Sequence, residues 1–255
     1  MPSSICRAGR LTVLGIIPAR WRSSRFPGKP LAEIAGEPMI LHVWRRAQQA
    51  KSVDSVLVAT DDDRIAAFCR ENEINAEMTS GDHETGTDRL AEVAGRRQAD
   101  IFVNIQGDEP LIDPAAIDAV VECLKRSMSR GTGVSTAYIP ECSPEQEQDD
   151  SVVHLVSTLD HHVLTFSRLP VPAGFRQTPQ RTVHVGLYAF TRDALLMFAG
   201  LQRGPVEESE SIELMRFLEH GRRIACVPIQ PGSIGVDRPE DIARVEERLR
   251  ARGTS

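Results

Sequence analysis

The chain has 255 residues, 41% of them hydrophobic and 26% charged, with a formal net charge of -6. That is apolar material for a substantial core in one large α/β domain. The acidic balance excludes a duplex-binding surface, which needs a basic excess, and 5% aromatics argues against a base-stacking platform. No nucleic-acid partner is expected. No run approaches the roughly 18 apolar residues needed to span a bilayer, so no membrane partner is expected either. Residues 1–10 read as a disordered extension without a signal-peptide core, ahead of a domain over 11–255. Cys6, Cys69, Cys123, Cys142 and Cys226 form no C-x-x-C pair, which reads as incidental thiols in a reduced, cytoplasmic protein.

Leu11–Pro18 reads as a buried strand that runs into Arg20, Arg22, Arg25 and Lys29, spaced by Ser, Pro and Gly. A cationic loop directly after a strand lies where open α/β sheets bind ligands and suits a polyphosphate. It has neither the Walker A order nor G-x-G-x-x-G. Met39–Ala50 is a predicted helix with near-3.6 periodicity, Ser55–Thr60 a second buried strand and Asp62–Asn72 a second helix. Met78–Arg89 is polar and Gly-punctuated, offering backbone and hydroxyl groups to a base edge or forming a simple capped turn. It leads into a helix over Gly86–Arg97, opened by Thr87 and Asp88. Ile101–Ile105 is a third strand, ending in Gln106-Gly107-Asp108-Glu109-Pro110. A carboxylate there faces the same crevice as the cationic loop, so Asp108 suits a divalent cation bridging phosphates; the competing reading is an ordinary Asp-Glu-Pro turn. With the helix Pro114–Arg126 the first half is β-α-β-α-β-α. That predicts a mostly parallel, Rossmann-like sheet with helices on both faces.

The second half is less regular. Strands are predicted at Gly133–Ile139, Val152–Ser157, Val163–Ser167, His184–Phe190 and Ile224–Ile229, and helices at Ile212–Glu219 and Arg238–Arg252. The acidic run Glu145–Asp150 reads as a solvated loop. Asp237, just ahead of the last helix, is either its N-cap or a second metal ligand. His83, His154, His161 and His162 have no metal-ligand spacing. A Gly-x-Ser-x-Gly elbow is absent, which excludes an α/β-hydrolase.

The whole set of motifs resembles the CMP-Kdo synthetases, the 3-deoxy-manno-octulosonate cytidylyltransferases. It comprises Ile17-Pro-Ala-Arg20 with Ser23-Ser-Arg25 and Pro27-Gly-Lys-Pro-Leu31, Asp82-His83 with Gly86-Thr-Asp-Arg89, and Gln106-Gly-Asp-Glu-Pro110. It continues with Phe166-Ser-Arg168, His184-x-Gly186-x-Tyr188, Glu210-x-x-Glu213 and Gly235-Val-Asp237. The likeness runs from about Leu14 to Arg250. It implies one nucleotidyltransferase domain with a small dimerisation subdomain over about 141–190, Mg²⁺ as cofactor, CTP and a small carboxylated sugar as substrates, and a homodimer. It implies that Arg20, Arg25 and Lys29, beside Pro18 and Ala19, hold the triphosphate, and that these cations and Asp108 carry catalysis. It implies Asp108 and Asp237 as metal ligands, and Thr79, Ser80, Asp82, Gly86, Thr87, Arg89 and Gln106 around the cytidine. Arg168, His184, Tyr188, Glu210, Glu213 and Leu214 would face the sugar acid, and the dimer interface would lie in Glu141–Arg181 with His184–Tyr188.

The chain departs from the family's pattern at Leu214 (usually Gln), His154 (usually Lys), Ser80 (usually Arg) and Arg238 (usually Thr). An unpaired substrate hydroxyl beside Leu214 would cost about 1–3 kcal/mol. The resemblance implies transfer of CMP from CTP to the anomeric hydroxyl of Kdo or a Kdo-like acid, with release of pyrophosphate; the departures predict either poor use of Kdo or an acid with another hydroxyl pattern, or are neutral drift in a Kdo enzyme. The alternatives are a cytidylyltransferase acting on a sugar phosphate or phosphonate, and a catalytically silent nucleotide-binding protein.

Overall fold

The computed structural model describes residues 10–23 and 25–253. Strand β1 (Val13–Ala19) is central, paired in parallel with β4 (Ser55–Thr60) on one side and β6 (Ile101–Ile105) on the other. Its side chains alternate between two apolar layers: Val13, Ile17 and Ala19 enter one, Leu14 and Ile16 the other. A strand covered on both faces must be apolar along its whole length, and the segments that read as continuous apolar runs are these central ones.

Two short strands, β2 (Glu33–Ile34) and β3 (Glu37–Pro38), form a separate hairpin before helix α1 (Met39–Ala47). After β4 come α2 (Asp63–Glu71), a short edge strand β5 (Ala76–Met78) and α3 (Gly86–Arg96). Beyond β6 come α4 (Pro114–Met128), β7 (Val134–Ile139), β8 (His154–Ser157), β9 (Val163–Ser167) and β10 (Val183–Thr191). Then follow α5 (Arg192–Gly200), α6 (Pro205–Glu210), α7 (Met215–Glu219), β11 (Ala225–Pro228) and α8 (Asp241–Gly253). The sheet order is β11-β7-β10-β6-β1-β4-β5. Parallel pairing prevails from β6 to β5, whereas β10 runs antiparallel to both β6 and β7.

α1, α2 and α4 cover one face through Ile40, Val43, Ile65, Ile117 and Val120. α3, α5 and α7 cover the other through Leu90, Val93, Leu195, Phe198 and Phe217. α8 packs Val245 with Ile34, Met39, Leu111 and Val236 in a third, smaller cluster. Among the described residues no helix is long and apolar enough to cross a membrane.

The structure corrects several element predictions. β5, α5 and α6 are additional elements; α5 follows β10 without a break, its start capped by the Thr191 side chain. α3 is capped by Thr85, whose hydroxyl accepts from the Asp88 N–H, so Thr87 and Asp88 lie inside its first turn. The helix predicted from Ile212 starts at Met215, and the last helix starts at Asp241. Residues 141–190 are continuous with the main sheet, since β8 pairs with β10 and β9 with β8. Of the expected N-terminal extension only Arg10 is described, and it ion-pairs with Asp54 at 2.6 Å. Cys69, Cys123, Cys142 and Cys226 are free thiols; Cys6 lies outside the described residues.

Candidate active site

β1 and β6 lie side by side, but the chain leaves β1 towards β4 on the opposite flank. Their C-terminal ends therefore part around a crevice, the position where open α/β sheets take ligands. The crevice holds about 940 Å³, within the range of small-molecule sites. Gly107 lets the chain leave β6 across β1: a Cβ there would lie 2.8 Å from the Pro18 carbonyl oxygen. On the β1 side, Gly28 turns the cationic loop at φ +73°, with the Trp21 ring 2.9 Å from where its Cβ would be. The Arg64 guanidinium stacks 3.4 Å over that ring. Lys29 follows at the start of a single 3₁₀ turn, Lys29–Leu31.

These two strand exits bring the predicted charges together. Lys29 Nζ lies 2.7 Å from Asp108 Oδ2 and 3.4 Å from Asp237 Oδ1, and Arg25 Nη2 lies 3.3 Å from the same Asp237 oxygen. Asp237 arrives from the far end of the chain. The Val236 N–H donates to the Asp108 carbonyl at 2.9 Å, hanging the loop before α8 on the end of β6. The Asp241 carboxylate accepts from the backbone N–H groups of Asp237 and Arg238, each at 2.9 Å. Asp241 thus ties down the backbone just ahead of α8, and Asp237 lines the crevice. One cation already touches both Asp108 and Asp237, so the pair converges on a single point. Two carboxylates are the protein share of a Mg²⁺ site in which phosphates supply other oxygens. No group of three or more His, Cys, Asp or Glu is placed to hold a metal among the described residues.

A third carboxyl, Glu109, stands behind this pair. Burial pushes it up to about 7, with the Ser233 hydroxyl pulling it down and Asp108 and Asp237 adding to the rise. Its Oε2 is buried without a hydrogen-bond partner. Asp108 and Glu109 both line the crevice, and nothing in the sequence tells which of the two adjacent acids is the more deeply buried.

Of the residues expected around the nucleotide, Pro18, Ala19, Arg20, Gly86, Arg89 and Gln106 line the crevice. Arg89 is buried; burial lowers its pKa, against the pull of Asp61 at 3.6 Å. Its guanidinium donates to the Thr79 hydroxyl, and that hydroxyl donates onward to the Thr60 carbonyl at 3.1 Å. Ser80 and Asp82 hydrogen-bond to each other at 3.1 Å. The Thr87 hydroxyl accepts from Asn104 Nδ2 at 3.3 Å. Thr79, Ser80, Asp82 and Thr87 are thus not among the lining residues; they brace the loop and the start of α3 behind it.

On the other side a bulge in β10 between Val185 and Tyr188 sets two rings into the wall. His184 and Tyr188 stack with centroids 5.7 Å apart at 8°, and Phe166 packs on His184 at 4.6 Å. Burial drives His184 down to about 3, so it is neutral at pH 7, with the Thr136 hydroxyl 3.0 Å from Nε2. Burial, then Glu213 and Asp108, raises the Tyr188 hydroxyl well above its ordinary value. Glu213 accepts from the Thr87 N–H at 3.1 Å, and burial raises its pKa.

The remaining acceptor-side predictions fare differently. The Arg168 side chain donates to the carbonyls of Glu210, Asp150 and Ser151 at 2.6, 3.1 and 3.2 Å. The Glu210 carboxylate accepts from the Arg168 N–H at 2.9 Å. Arg168 lines the crevice; Glu210 does not and instead anchors it. Leu214 is fully buried in the core layer beneath α3 and α7. The structure therefore corrects its reading as an acceptor contact: its hydrophobic side chain packs inward. Ser80, His154 and Arg238 are likewise absent from the lining, and His154 is fully buried in β8. None of the four departures lines the crevice, which weakens the reason to expect an altered acceptor. A pair missed by sequence reasoning is Glu84 with Arg203, ion-paired across the crevice wall. Residues so far apart in the chain leave no local pattern.

Comparison with known proteins gives the family. The cytidylyltransferase family model matches residues 14–224, and the chain belongs to that family. Among its relatives is the 3-deoxy-manno-octulosonate cytidylyltransferase of Myxococcus xanthus, 46% identical over 244 residues, covering 94% of this chain and 97% of the relative. That of Solibacter usitatus is 44% identical over 241 residues, covering 94% and 95%. A solved CMP:2-keto-3-deoxy-manno-octonic acid synthetase complexed with CTP superposes with a TM-score of 0.89 at 36% identity, covering 94% of this chain and 99% of that one. A 4-diphosphocytidyl-2C-methyl-D-erythritol synthase from Anaerococcus prevotii, 12% identical with a TM-score of 0.62 over 94% and 96% of the two chains, shares the fold alone. This protein is a cytidylyltransferase.

Proposed function

We propose that the crevice transfers CMP from CTP to the anomeric C2 hydroxyl of a 3-deoxy-2-keto sugar acid, read as Kdo, with release of pyrophosphate. What supports this most is near-complete alignment with enzymes named for that acid, on a chain whose sequence departures all fall outside the crevice lining.

The hydroxyl attacks the α-phosphorus in line and pyrophosphate leaves. No covalent nucleophile is needed, so positioning and charge neutralisation dominate. Once CTP is bound, Arg20, Arg25 and Lys29 would turn to its phosphates and offset the charge that builds on the departing pyrophosphate. Asp108 and Asp237 would hold Mg²⁺, which when bound polarises the α-phosphate. Pro18, Ala19, Gly86, Arg89 and Gln106 shape the nucleotide side. His184 stays neutral and Tyr188 keeps its proton, so both offer uncharged hydrogen bonds to sugar hydroxyls, with Glu213 as acceptor. Arg168 holds the backbone of residues 150 and 151 at the acceptor end.

Pyrophosphate release with Mg²⁺ and CTP, measured over a panel of keto acids and sugar phosphates, tests the reading. Release dependent on Kdo supports it; release only with a phosphorylated acceptor overturns it in favour of the sugar-phosphate alternative. We read the protein as cytoplasmic, since its free thiols suit a reducing compartment. We read it as a homodimer, because Leu159, Leu164, Leu169 and Phe175 are all exposed within one stretch around β9, the kind of apolar surface that a partner covers.

A further inference from the structure

Lys29 stands in an odd place for a phosphate ligand. Its ammonium lies between Asp108 and Asp237, at 2.7 and 3.4 Å, rather than reaching into open crevice. We propose that Lys29 is a tethered placeholder: it occupies the cation seat of the two aspartates until a triphosphate draws it away, so metal and nucleotide enter together. This rests on Asp108 and Asp237 being the metal ligands.

The geometry carries the argument. A single point charge within contact of both carboxylates sits where a divalent ion would sit. The shorter contact has the length of a charge-assisted hydrogen bond. Only 15% of the Lys29 side chain is exposed, so bulk salt screens the contact weakly. Its backbone is pinned by the Gly28 turn against Trp21, while its four-carbon stem can rotate. Arg25 takes a second place on Asp237 at 3.3 Å. Two side-chain cations thus balance two carboxylates.

A bare divalent ion would have to evict Lys29 and leave its charge without an anion. A metal arriving with a triphosphate brings the anion that Lys29 needs, and the ammonium swings from carboxylate to phosphate. By linkage, whatever raises metal affinity when nucleotide binds raises nucleotide affinity when metal binds by the same factor. The role is distinct from stabilising pyrophosphate in the reaction, because it acts before any chemistry.

Mn²⁺ binding to the full-length protein without nucleotide, followed by the loss of the free-ion EPR signal, is the test. Lys29→Met should bind Mn²⁺ at least tenfold more tightly than wild type, and adding Asp237→Asn should abolish the gain. If circular dichroism shows that Lys29→Met is unfolded, Lys29→Gln makes the same comparison. Equal Mn²⁺ affinity in wild type and the Lys29 variant, with loss on Asp237→Asn, overturns the placeholder role and leaves the metal seat intact. Binding indifferent to Asp237→Asn overturns the seat, and the inference with it.

Discussion

Burial, more than residue type, sets the protonation of four side chains of this crevice, Glu109, His184, Tyr188 and Glu213. His184 shows it most directly. Its folded pKa is lowered to about 3 from an unfolded value near 6.5. The unfolded chain therefore binds the extra proton first as pH falls. The contribution of neutral His184 is fully present above about pH 6.5 and is lost as pH falls towards 3. Between pH 6.5 and 5 the loss should be about 2 kcal/mol. Glu109, raised to about 7, runs the opposite way: its stabilisation is present at low pH and lost as pH rises from its unfolded value. The two slopes oppose each other in the wild type, so the His184 share is read as the difference between wild type and His184→Asn in urea unfolding at the two pH values. The variant should lose less on acidification. Asp108 makes the matching prediction for activity. Asp108→Asn keeps the fold, since the side chain is partly exposed and lies at a strand end, and should lower kcat by on the order of 10²-fold or more. Steady-state pyrophosphate release together with circular dichroism checks both halves.

Elements matter here mainly by where they stop. Gly107 lies two residues past the end of β6, where the chain must pass the Pro18 carbonyl of β1 at a distance no Cβ tolerates. Gly107→Ala should force the two strand ends apart, costing about 1–3 kcal/mol and lowering kcat/KM, because Asp108 is the next residue. Urea denaturation and steady-state kinetics on one preparation measure both. α7 illustrates the other side. The turn before it puts Glu213 into the crevice and the next residue, Leu214, into the core. Leu214→Ala should therefore cost about 2–5 kcal/mol while leaving the acceptor KM unchanged. A raised KM at unchanged stability would restore Leu214 as an acceptor contact.

At the scale of the whole molecule the four most exposed large apolar residues, Leu159, Leu164, Leu169 and Phe175, fall in one stretch. Leu159 lies in the β8–β9 turn, Leu164 on β9, and Leu169 and Phe175 in the segment that follows. In a single chain this surface costs solubility, whereas a second copy burying it gains roughly 25 cal/mol per Å² of apolar area. On the homodimer proposed above, the wild type should run as a dimer by light scattering and the double variant Leu164→Asp, Phe175→Asp as a monomer. An unchanged mass would place the interface elsewhere. The sequence reading had extended the interface to His184–Tyr188, but both residues face the crevice and the core.

How much was legible in the chain follows from what kind of signal each feature leaves. β1, β4 and β6 are buried on both faces, so their apolar runs announced them. Arg20, Arg25, Lys29 and Asp108 follow directly on strands, so the position of the crevice and its charge could be read from local order alone. The short edge strand β5 and helices α5 and α6 escaped because the first has three residues and the others sit among apolar or Pro-bounded segments with weak periodicity. Sequence also left Asp237 undecided between cap and ligand. Only the tertiary structure decided where its side chain lies, beside Lys29 in the crevice, by hanging its loop on the Asp108 carbonyl and tying its N–H to the Asp241 carboxylate. It likewise decided that Leu214, His154, Ser80 and Arg238 stay out of the crevice lining, since the direction a side chain takes depends on what packs behind it. Local order thus determined which chemistry the chain carries, and long-range packing determined which residues reach it, because contacts between distant segments leave no trace in the spacing of neighbours.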